Sequence, residues 1–202
     1  MNRAFVIGNG GSRSGVDLSS IKHKGTMFGC NALYRDLHYD FDLPHYLIAI
    51  DERIIDEIKN SDFPSKRFIE PPENEKWEPV ELHWGRAVKE DWNPARPRSN
   101  AGVNAVLEAV KRGFTDIWMI GMDFLVVDET IAVSNQYHGT HAYEMETRAT
   151  LADSRNRMQY MGWVIEKYVD INFVFCYPSN IVESGIYKPE ATNTSIFNLE
   201  DL

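Results

Sequence analysis

The N-terminal segment reads Ala4-Phe5-Val6-Ile7-Gly8-Asn9-Gly10-Gly11-Ser12, an apolar run that leads directly into a glycine-rich turn. The run predicts a buried first strand. Its glycines predict a tight turn whose backbone N–H groups a phosphate can approach without meeting a Cβ atom. Asn9 and Ser12 favour a ligand site over a turn that only reverses the chain, because both side chains can hydrogen-bond a sugar or a phosphate. In α/β sheets, a nucleotide commonly binds at the end of the first strand.

The turn differs from two familiar phosphate-binding motifs. Arg13 stands where a dinucleotide fingerprint has its third glycine, and no Gly-Lys-Ser/Thr sequence follows as in a Walker A loop. Arg13, like Arg96 and Arg98 further along the chain, is either a clamp for a phosphate or carboxylate or a solvent-exposed side chain. The motif therefore indicates a ligand site without naming the ligand.

Strand-like and helix-like patterns alternate along the rest of the chain. Apolar runs predict strands over residues 3–8, 26–30, 45–50, 66–69, 116–120 and 171–175. Helical spacing of apolar residues predicts helices over 52–59, 100–112 and 147–168. This alternation predicts a Rossmann-like α/β fold, with a single doubly wound, mainly parallel sheet and helices on both of its faces.

We expect a single α/β domain over residues 1–190, with an irregular insert at 71–97 and a polar tail at 191–202. The insert combines five prolines with Trp77, Trp84 and Trp92. Flexible linkers are rich in glycine and serine and poor in tryptophan, so this composition predicts a segment held in place by aromatic side chains.

The composition narrows the class of protein. The 202 residues carry a formal net charge of −9, which argues against broad nucleic-acid binding but is compatible with a small anionic ligand held by local arginines and amides. No apolar run reaches the ~20 residues of a membrane span, and the run behind Arg3 is too short for a signal peptide. Cys30 and Cys176 lie in apolar runs, which favours buried free thiols in a reducing, cytoplasmic setting over a disulfide.

Polar residues follow several predicted strands at the points where the strands end. Asn9 and Ser12 follow the first strand, Asn31 the second, Asp51 the third, and Asp123 the strand over 116–120. Such residues are also common in turns and caps, and Asp51 is a candidate N-cap for the helix over 52–59. Because ligands of parallel sheets bind at the carboxyl ends of the strands, the shared position of these residues predicts one polar site.

Four blocks of the sequence share one further pattern. They are Gly8-Asn9-Gly10-Gly11-Ser12, Phe28-Gly29-Cys30-Asn31, Arg98-Ser99-Asn100-Ala101-Gly102-Val103 and Gly121-Met122-Asp123-Phe124. In this order and spacing they resemble the nucleotide-binding half of the bacterial oligosaccharide sialyltransferases. That half has a Gly-Asn-Gly-Pro-Ser turn, a Cys-Asn pair, a Ser-Gly-Val helix start and a Gly-Ile-Asp-Phe strand end. The blocks are also similar to the motility accessory proteins that glycosylate flagellin.

The resemblance implies a glycosyltransferase whose donor is CMP-sialic acid or a related nucleotide sugar. It implies transfer with inversion to a hydroxyl of a glycan or another acceptor, with no metal and no further cofactor. Together with the turn and the strand ends, it places the donor on Gly8, Asn9, Gly10, Gly11, Ser12, Asn31, Asp51, Arg98, Ser99, Asn100, Ala101, Gly102 and Asp123.

The resemblance also implies catalytic residues in the loop before the last long helix. The family's histidine base corresponds to His141, or to His138 in the same loop. Leu125 stands where the family has a tyrosine that assists the leaving phosphate, so Tyr137 or Tyr143 is the expected substitute.

Two departures from the family keep other functions open. Leu125, and Asp51 in place of a family asparagine, favour a nucleotide-binding module of the same fold without transfer activity. A carboxylate beside an anionic donor is unfavourable unless it is protonated or faces a hydroxyl. A Mg²⁺-dependent phosphoryl or pyrophosphoryl transferase is the further alternative, with Asp51 or Asp123 as metal ligands.

The polar residues around the last long helix also have ordinary interpretations. His138, His141 and Glu144 are metal-ligand types, but no second pair supports a zinc site, so we predict no metal. Arg155 and Arg157 are expected on a solvated helix face with i, i+4 ion pairs. Three aromatic residues predict core packing or contact with a second copy of the chain, as in a homo-oligomer: Tyr160, Trp163 and Tyr168.

Overall fold

The structure is a computed structural model that describes residues 2–36, 44–70, 100–145, 149–187 and 191–202. The 71–97 insert lies outside these ranges, as do Arg98 and Ser99, two of the residues predicted to bind the donor.

A single sheet of seven described strands forms the centre of the fold, and every neighbouring pair is parallel. The strands are β1 (Arg3–Ile7), β2 (Thr26–Cys30), β3 (Tyr46–Ile48), β4 (Phe68–Ile69), β5 (Asp116–Ile120), β6 (Asn172–Tyr177) and β7 (Thr194–Asn198). Their order is β4-β3-β2-β1-β5-β6-β7, so the chain winds outward from β1 in one direction and from β5 in the other. The predicted doubly wound, Rossmann-like fold is confirmed.

Five α-helices are described: α1 (Glu52–Lys59), α2 (Ala101–Lys111), α3 (Glu129–Ala132), α4 (Leu151–Lys167) and α5 (Ser179–Ser184). Side chains fix three of the helix starts, and at α3 the Asp128 carboxylate accepts from the Thr130 and Ile131 N–H groups. Asn100 accepts a hydrogen bond from the Val103 N–H at the start of α2, and Thr150 forms a capping box with Asp153 at the start of α4. Asp51 occupies the N-cap position of α1, but its carboxylate makes no capping hydrogen bond there.

The helices cover both faces of the sheet, and the alternation of side chains along β1 shows how. Ala4 and Val6 belong to the core beneath α2 and α4, whereas Phe5 and Ile7 belong to the core beneath α1. Both layers consist of buried aliphatic and aromatic side chains, so the central strands are buried on both faces. Cys30 and Cys176 are buried free thiols, as predicted.

The predicted polar tail at 191–202 is wrong over its middle part. Thr194–Asn198 form β7 and pair with β6 along the edge of the sheet. The strand holds only two apolar residues, Ile196 and Phe197, which is too weak a pattern to read from the sequence. It is held by distant partners, since the Phe197 ring lies 4.6 Å from the Trp118 ring between centroids.

Candidate functional site

A cavity of about 580 Å³ opens at the carboxyl ends of the strands, where the strand order reverses between β1 and β5. In doubly wound sheets this crevice is the usual ligand site. The cavity brings together many of the residues predicted to bind a donor: Gly8, Asn9, Gly10, Asn31, Asp51, Asn100, Ala101, Gly102 and Asp123. Gly11 and Ser12 belong to the same turn but do not line the cavity.

The glycines after β1 are required by close packing against the turn after β5. A Cβ atom on Gly8 would collide with the carbonyl oxygen of Gly121, and one on Gly10 would collide with the carboxyl group of Asp123. Gly121 itself has a φ of +69°, a backbone conformation that glycine adopts without strain. The two turns therefore interlock, and glycine is needed for their contact.

The backbone N–H groups of this turn are already hydrogen-bonded within the protein. Gly10 N–H donates to the Gly121 carbonyl at 2.9 Å, and Gly11 N–H donates to Ser134 Oγ at 3.0 Å. Ser12 N–H donates to Asp123 Oδ2 at 2.8 Å, and the Ser12 hydroxyl donates to Asp123 Oδ1. These three amides are therefore not open to a phosphate in this structure, because the Asp123 carboxyl group and two other oxygens already accept their hydrogen bonds.

Asp123 links the two turns, because it accepts hydrogen bonds from the Ser12 N–H and hydroxyl. It is buried, and burial raises the pKa of its carboxyl group, although the hydrogen bonds from Ser12 and Ser134 oppose that effect. A carboxyl group held this way is committed to the fold and is poorly placed to bind Mg²⁺.

Asn9, unlike the turn amides, presents its side chain at the cavity. Its Nδ2 donates to the Tyr143 hydroxyl at 3.1 Å, and the Cys30 thiol lies 3.8 Å from its Oδ1. Tyr143 and Cys30 also line the cavity. These contacts fix the orientation of the amide, as expected for a residue that positions a ligand.

Asn31 follows β2 in the left-handed backbone conformation, with a φ of +50°. Asparagine tolerates this region better than most residues, and such backbone strain is often found at functional sites. Its Nδ2 lies 3.4 Å from Asp51 Oδ2, which is a long hydrogen bond. Its Oδ1 is buried and accepts no hydrogen bond from any residue that the structure describes. An acceptor without a partner at the cavity wall is suited to a ligand hydroxyl or amine.

The N-terminus of α2 also faces the cavity through Asn100, Ala101 and Gly102. Its first turn is fixed by the Asn100 side chain, whose Oδ1 is 3.1 Å from the Val103 nitrogen. Helix N-termini carry partial positive charge, so this wall favours a negatively charged or hydrogen-bond-accepting ligand group.

Three residues on the first turns of α4 complete the cavity: Asp153, Asn156 and Arg157. Their spacing of i, i+3 and i+4 places them on one helix face. Arg155 is exposed, as expected for a solvated face, whereas Arg157 is only partly exposed and lies in the cavity wall. The capping-box residues Thr150 and Asp153 are a signal in the sequence that could have fixed the helix start and hence this face.

The structure does not bring the three predicted catalytic residues to the cavity. His141 is 61% exposed, and its Nδ1 is 2.6 Å from Glu57 Oε2. His138 does not line the cavity. The Tyr137 hydroxyl is buried between Asp36 at 2.8 Å and Arg13 at 2.6 Å. Tyr143, the alternative to Tyr137 for this role, is the tyrosine that lines the cavity.

Arg13 is neither a phosphate clamp nor a surface side chain. It is buried, with its Nε 2.7 Å from the Gly8 carbonyl oxygen and its Nη2 2.8 Å from Asp36 Oδ2. The guanidinium is held by Asp36 and Tyr137, and its hydrogen bond to the Gly8 carbonyl stabilises the turn.

A charged cluster fastens the loop that carries Tyr143 to α1. Glu57 accepts two hydrogen bonds from Arg35, at 2.6 and 2.5 Å, and further ones from Tyr34 and His141. Burial disfavours the charge of Glu57, but these hydrogen bonds outweigh it and lower its pKa to about 2. The cluster therefore positions Tyr143 indirectly, and it gives His141 a structural role.

Within the described ranges, no group of three or more His, Cys, Asp or Glu side chains is arranged to hold a metal ion. His141 pairs with Glu57, and Glu144 pairs with Arg53. In the same part of the chain, no helix is long and apolar enough to cross a membrane.

Comparisons of the chain with protein-family models, with curated proteins and with solved structures find no match in any of the three. The resemblance to sialyltransferases therefore stays a prediction, and the function is argued from the cavity.

Proposed function

We propose that the cavity binds a nucleotide sugar of the CMP-sialic acid type and that the chain transfers the sugar to an acceptor hydroxyl. The observation that carries this proposal is the convergence of side-chain amides from four separate elements on one cavity. They are Asn9 after β1, Asn31 after β2, Asn100 before α2 and Asn156 on α4. An amide both donates and accepts hydrogen bonds, which suits the hydroxyls of a sugar and the edge of a nucleobase.

The size and position of the cavity support a ligand of this class. A volume of about 580 Å³ lies within the usual range for small-molecule and cofactor sites. The site also lies at the crossover of a doubly wound sheet, where nucleotides commonly bind.

Transfer requires a base that takes the proton of the acceptor hydroxyl. Because His138 and His141 lie outside the cavity lining, one carboxylate of the lining takes this proton in our proposal. We assign the role to Asp153, which also accepts hydrogen bonds from Thr150 in its capping box, with Asp51 as the alternative. Tyr143 assists departure of the phosphate. Burial raises the pKa of Tyr143, so its hydroxyl keeps its proton at neutral pH and can donate it to a phosphate oxygen in a hydrogen bond.

Binding is tested by thermal unfolding and calorimetry with cytidine, CMP and CMP-sialic acid. A ligand at 100 times its Kd stabilises the protein by about 2.7 kcal/mol. Asn31→Ala is expected to weaken binding, whereas Asn180→Ala, on the exposed surface of α5, serves as the matched control. The proposal fails if none of the three compounds binds the wild-type protein.

Transfer is tested by following release of CMP from CMP-sialic acid. Asp153→Asn is expected to slow the reaction by about 10²- to 10⁴-fold with little change in binding, because the amide oxygen can still accept from Thr150. His141→Ala is expected to leave the rate nearly unchanged.

A nucleotide-binding module without transfer activity is the second candidate. It is favoured by the position of His138 and His141 outside the cavity lining. Tight binding of CMP with no consumption of CMP-sialic acid in the presence of diverse acceptors would select it. The Mg²⁺-dependent alternative is weaker, since Asp123, one of its two expected ligands, is held by Ser12.

A further inference from the structure

We propose that Arg157 is the anion-binding residue of the cavity and directly receives the phosphate or carboxylate group of the ligand. The inference rests on the proposed function for the identity of the ligand. The anion site itself can be tested with inorganic anions, independently of any nucleotide.

Anion binding at this edge of the sheet depends first on the turn after β1. An anionic ligand at this edge of the sheet would ordinarily use the amides of that turn. Here the amides of Gly10, Gly11 and Ser12 are hydrogen-bonded to Gly121, Ser134 and Asp123. An anion must therefore be recognised by another wall of the cavity.

The surroundings of Arg157 favour contact with an anion. Its side chain lies in the cavity wall, and burial lowers the pKa of the guanidinium, an effect that the charges of Asp153 and Asp51 oppose. Among the described residues, no hydrogen bond or ion pair to Arg157 is formed. A partly buried cation without a hydrogen-bonded partner loses some of its hydration, and a ligand anion would offset that cost.

The chemistry of this cavity wall favours an arginine over a lysine. Guanidinium offers paired N–H donors that match phosphate and carboxylate oxygens in a bidentate arrangement. Asp51 and Asp153 also line the cavity, so its charged side chains produce no net positive field. An anion is then held by direct contact with the guanidinium, and a lysine ammonium is a poor substitute.

The test compares Arg157→Gln with Arg155→Gln, an exposed arginine on the same helix. Inorganic pyrophosphate is expected to raise the melting temperature of the wild type and of Arg155→Gln but not of Arg157→Gln. If Arg157 receives the nucleotide phosphate, CMP is expected to bind Arg157→Gln about 10- to 100-fold more weakly, whereas the Kd of cytidine changes less than about threefold.

Two further probes identify which anion is received. If the group is the nucleotide phosphate, CMP loses affinity as stated and free N-acetylneuraminic acid is unaffected. If it is the sugar carboxylate, Arg157→Gln weakens CMP-sialic acid and N-acetylneuraminic acid but not CMP. Arg157→Lys is expected to recover less than half of the lost stabilisation in either case.

The outcomes separate this inference from the proposed function. If pyrophosphate binding depends on Arg157 but no cytidine compound binds, the anion site stands and the nucleotide-sugar function fails. If CMP and CMP-sialic acid bind Arg157→Gln as well as they bind the wild type, the function stands and the anion site is overturned. A wild type that responds to no anionic probe also overturns the anion site.

The ligand-free proteins provide a control for folding. An arginine kept for a ligand can be removed without loss, so Arg157→Gln is expected to melt at the wild-type temperature or above it. A lower melting temperature together with unchanged anion binding would make Arg157 an internal counter-ion of Asp51 and Asp153, and would overturn the proposal.

Discussion

The turn after β1 and the first turns of α4 border the same cavity but use their polar groups differently. In the turn, the amides of Gly10 to Ser12 and the Asp123 carboxyl group satisfy one another. On α4, Asn156 and Arg157 line the cavity, and neither side chain forms a hydrogen bond or an ion pair with another residue that the structure describes. Polar groups bonded within the fold hold it together, and those left facing a cavity are the ones available for recognition. In this protein the glycine turn joins two parts of the fold, and in our proposal the wall formed by α4 binds the ligand.

The largest expected effect on stability comes from adding a side chain where the turns after β1 and β5 pack against each other. Gly8→Ala places a methyl group against the backbone of Gly121, which cannot move without disturbing β5, and is expected to cost about 3 kcal/mol. Urea unfolding measures the change. Gly162→Ala on α4 is the control, because a Cβ there meets nothing within 4 Å, and it is expected to stabilise the protein by up to about 1 kcal/mol. Equal effects of the two substitutions would contradict the interlocked turns.

The next largest loss of stability is expected from removing the hydrogen bonds between Asp123 and Ser12. Asp123→Asn removes an acceptor from Ser12 and is expected to cost about 2 kcal/mol at pH 5. Because burial raises the pKa of Asp123, the native carboxyl group binds its proton more tightly than the unfolded one. Its contribution to stability therefore falls as the pH rises above the ordinary value of about 3.9. Urea unfolding of both proteins from pH 4 to pH 7 should show a shrinking difference, and a growing difference would refute this assignment.

The third prediction concerns the loop that carries Tyr143, which Glu57 holds against α1. Glu57→Gln is expected to cost about 1–2 kcal/mol and to speed amide hydrogen exchange over residues 137–144. The pKa of Glu57 is lowered to about 2, so its stabilisation is complete above pH 4.5 and is lost as the pH falls toward 2. Asp56→Asn, at the exposed neighbouring position, is the control. Unchanged exchange in that loop would show that Glu57 does not hold it.

The smallest effect is expected at the surface. Arg53 and Glu144 form an ion pair in which both side chains are well exposed, at 55% and 39%. Exposed pairs contribute little, so Glu144→Gln should leave the urea midpoint within experimental error. A clear loss of stability would mean that the loop depends on this pair as well as on Glu57.

The strands and the main helices could be predicted because their signals are local. The helix over 52–59 and the strands over 26–30 and 116–120 match the structure at both ends. Their apolar residues recur at the spacing that the element requires, and no distant partner is needed to see it. The sheet edge that carries the site followed from the alternation of these elements.

The predictions that failed concern features that depend on contacts between segments far apart in the sequence. Nothing near Ser12 in the sequence indicates that Asp123 will accept from its amide, since 111 residues separate them. The same holds for β7, which is held by β6 and Trp118, and for His141, which is drawn to Glu57. Helical spacing could not place Arg157 in the cavity wall, because it shows which residues share a face but not what that face contacts.

The most direct test of the account is the change in backbone amide NMR shifts when CMP is added to the wild-type protein. The account predicts that the largest changes occur at Asn31, at Asn100 to Gly102 and at Asn156 and Arg157, with small changes at Gly10 to Ser12. Largest changes at Gly10 to Ser12, or no change at saturating CMP, would contradict it.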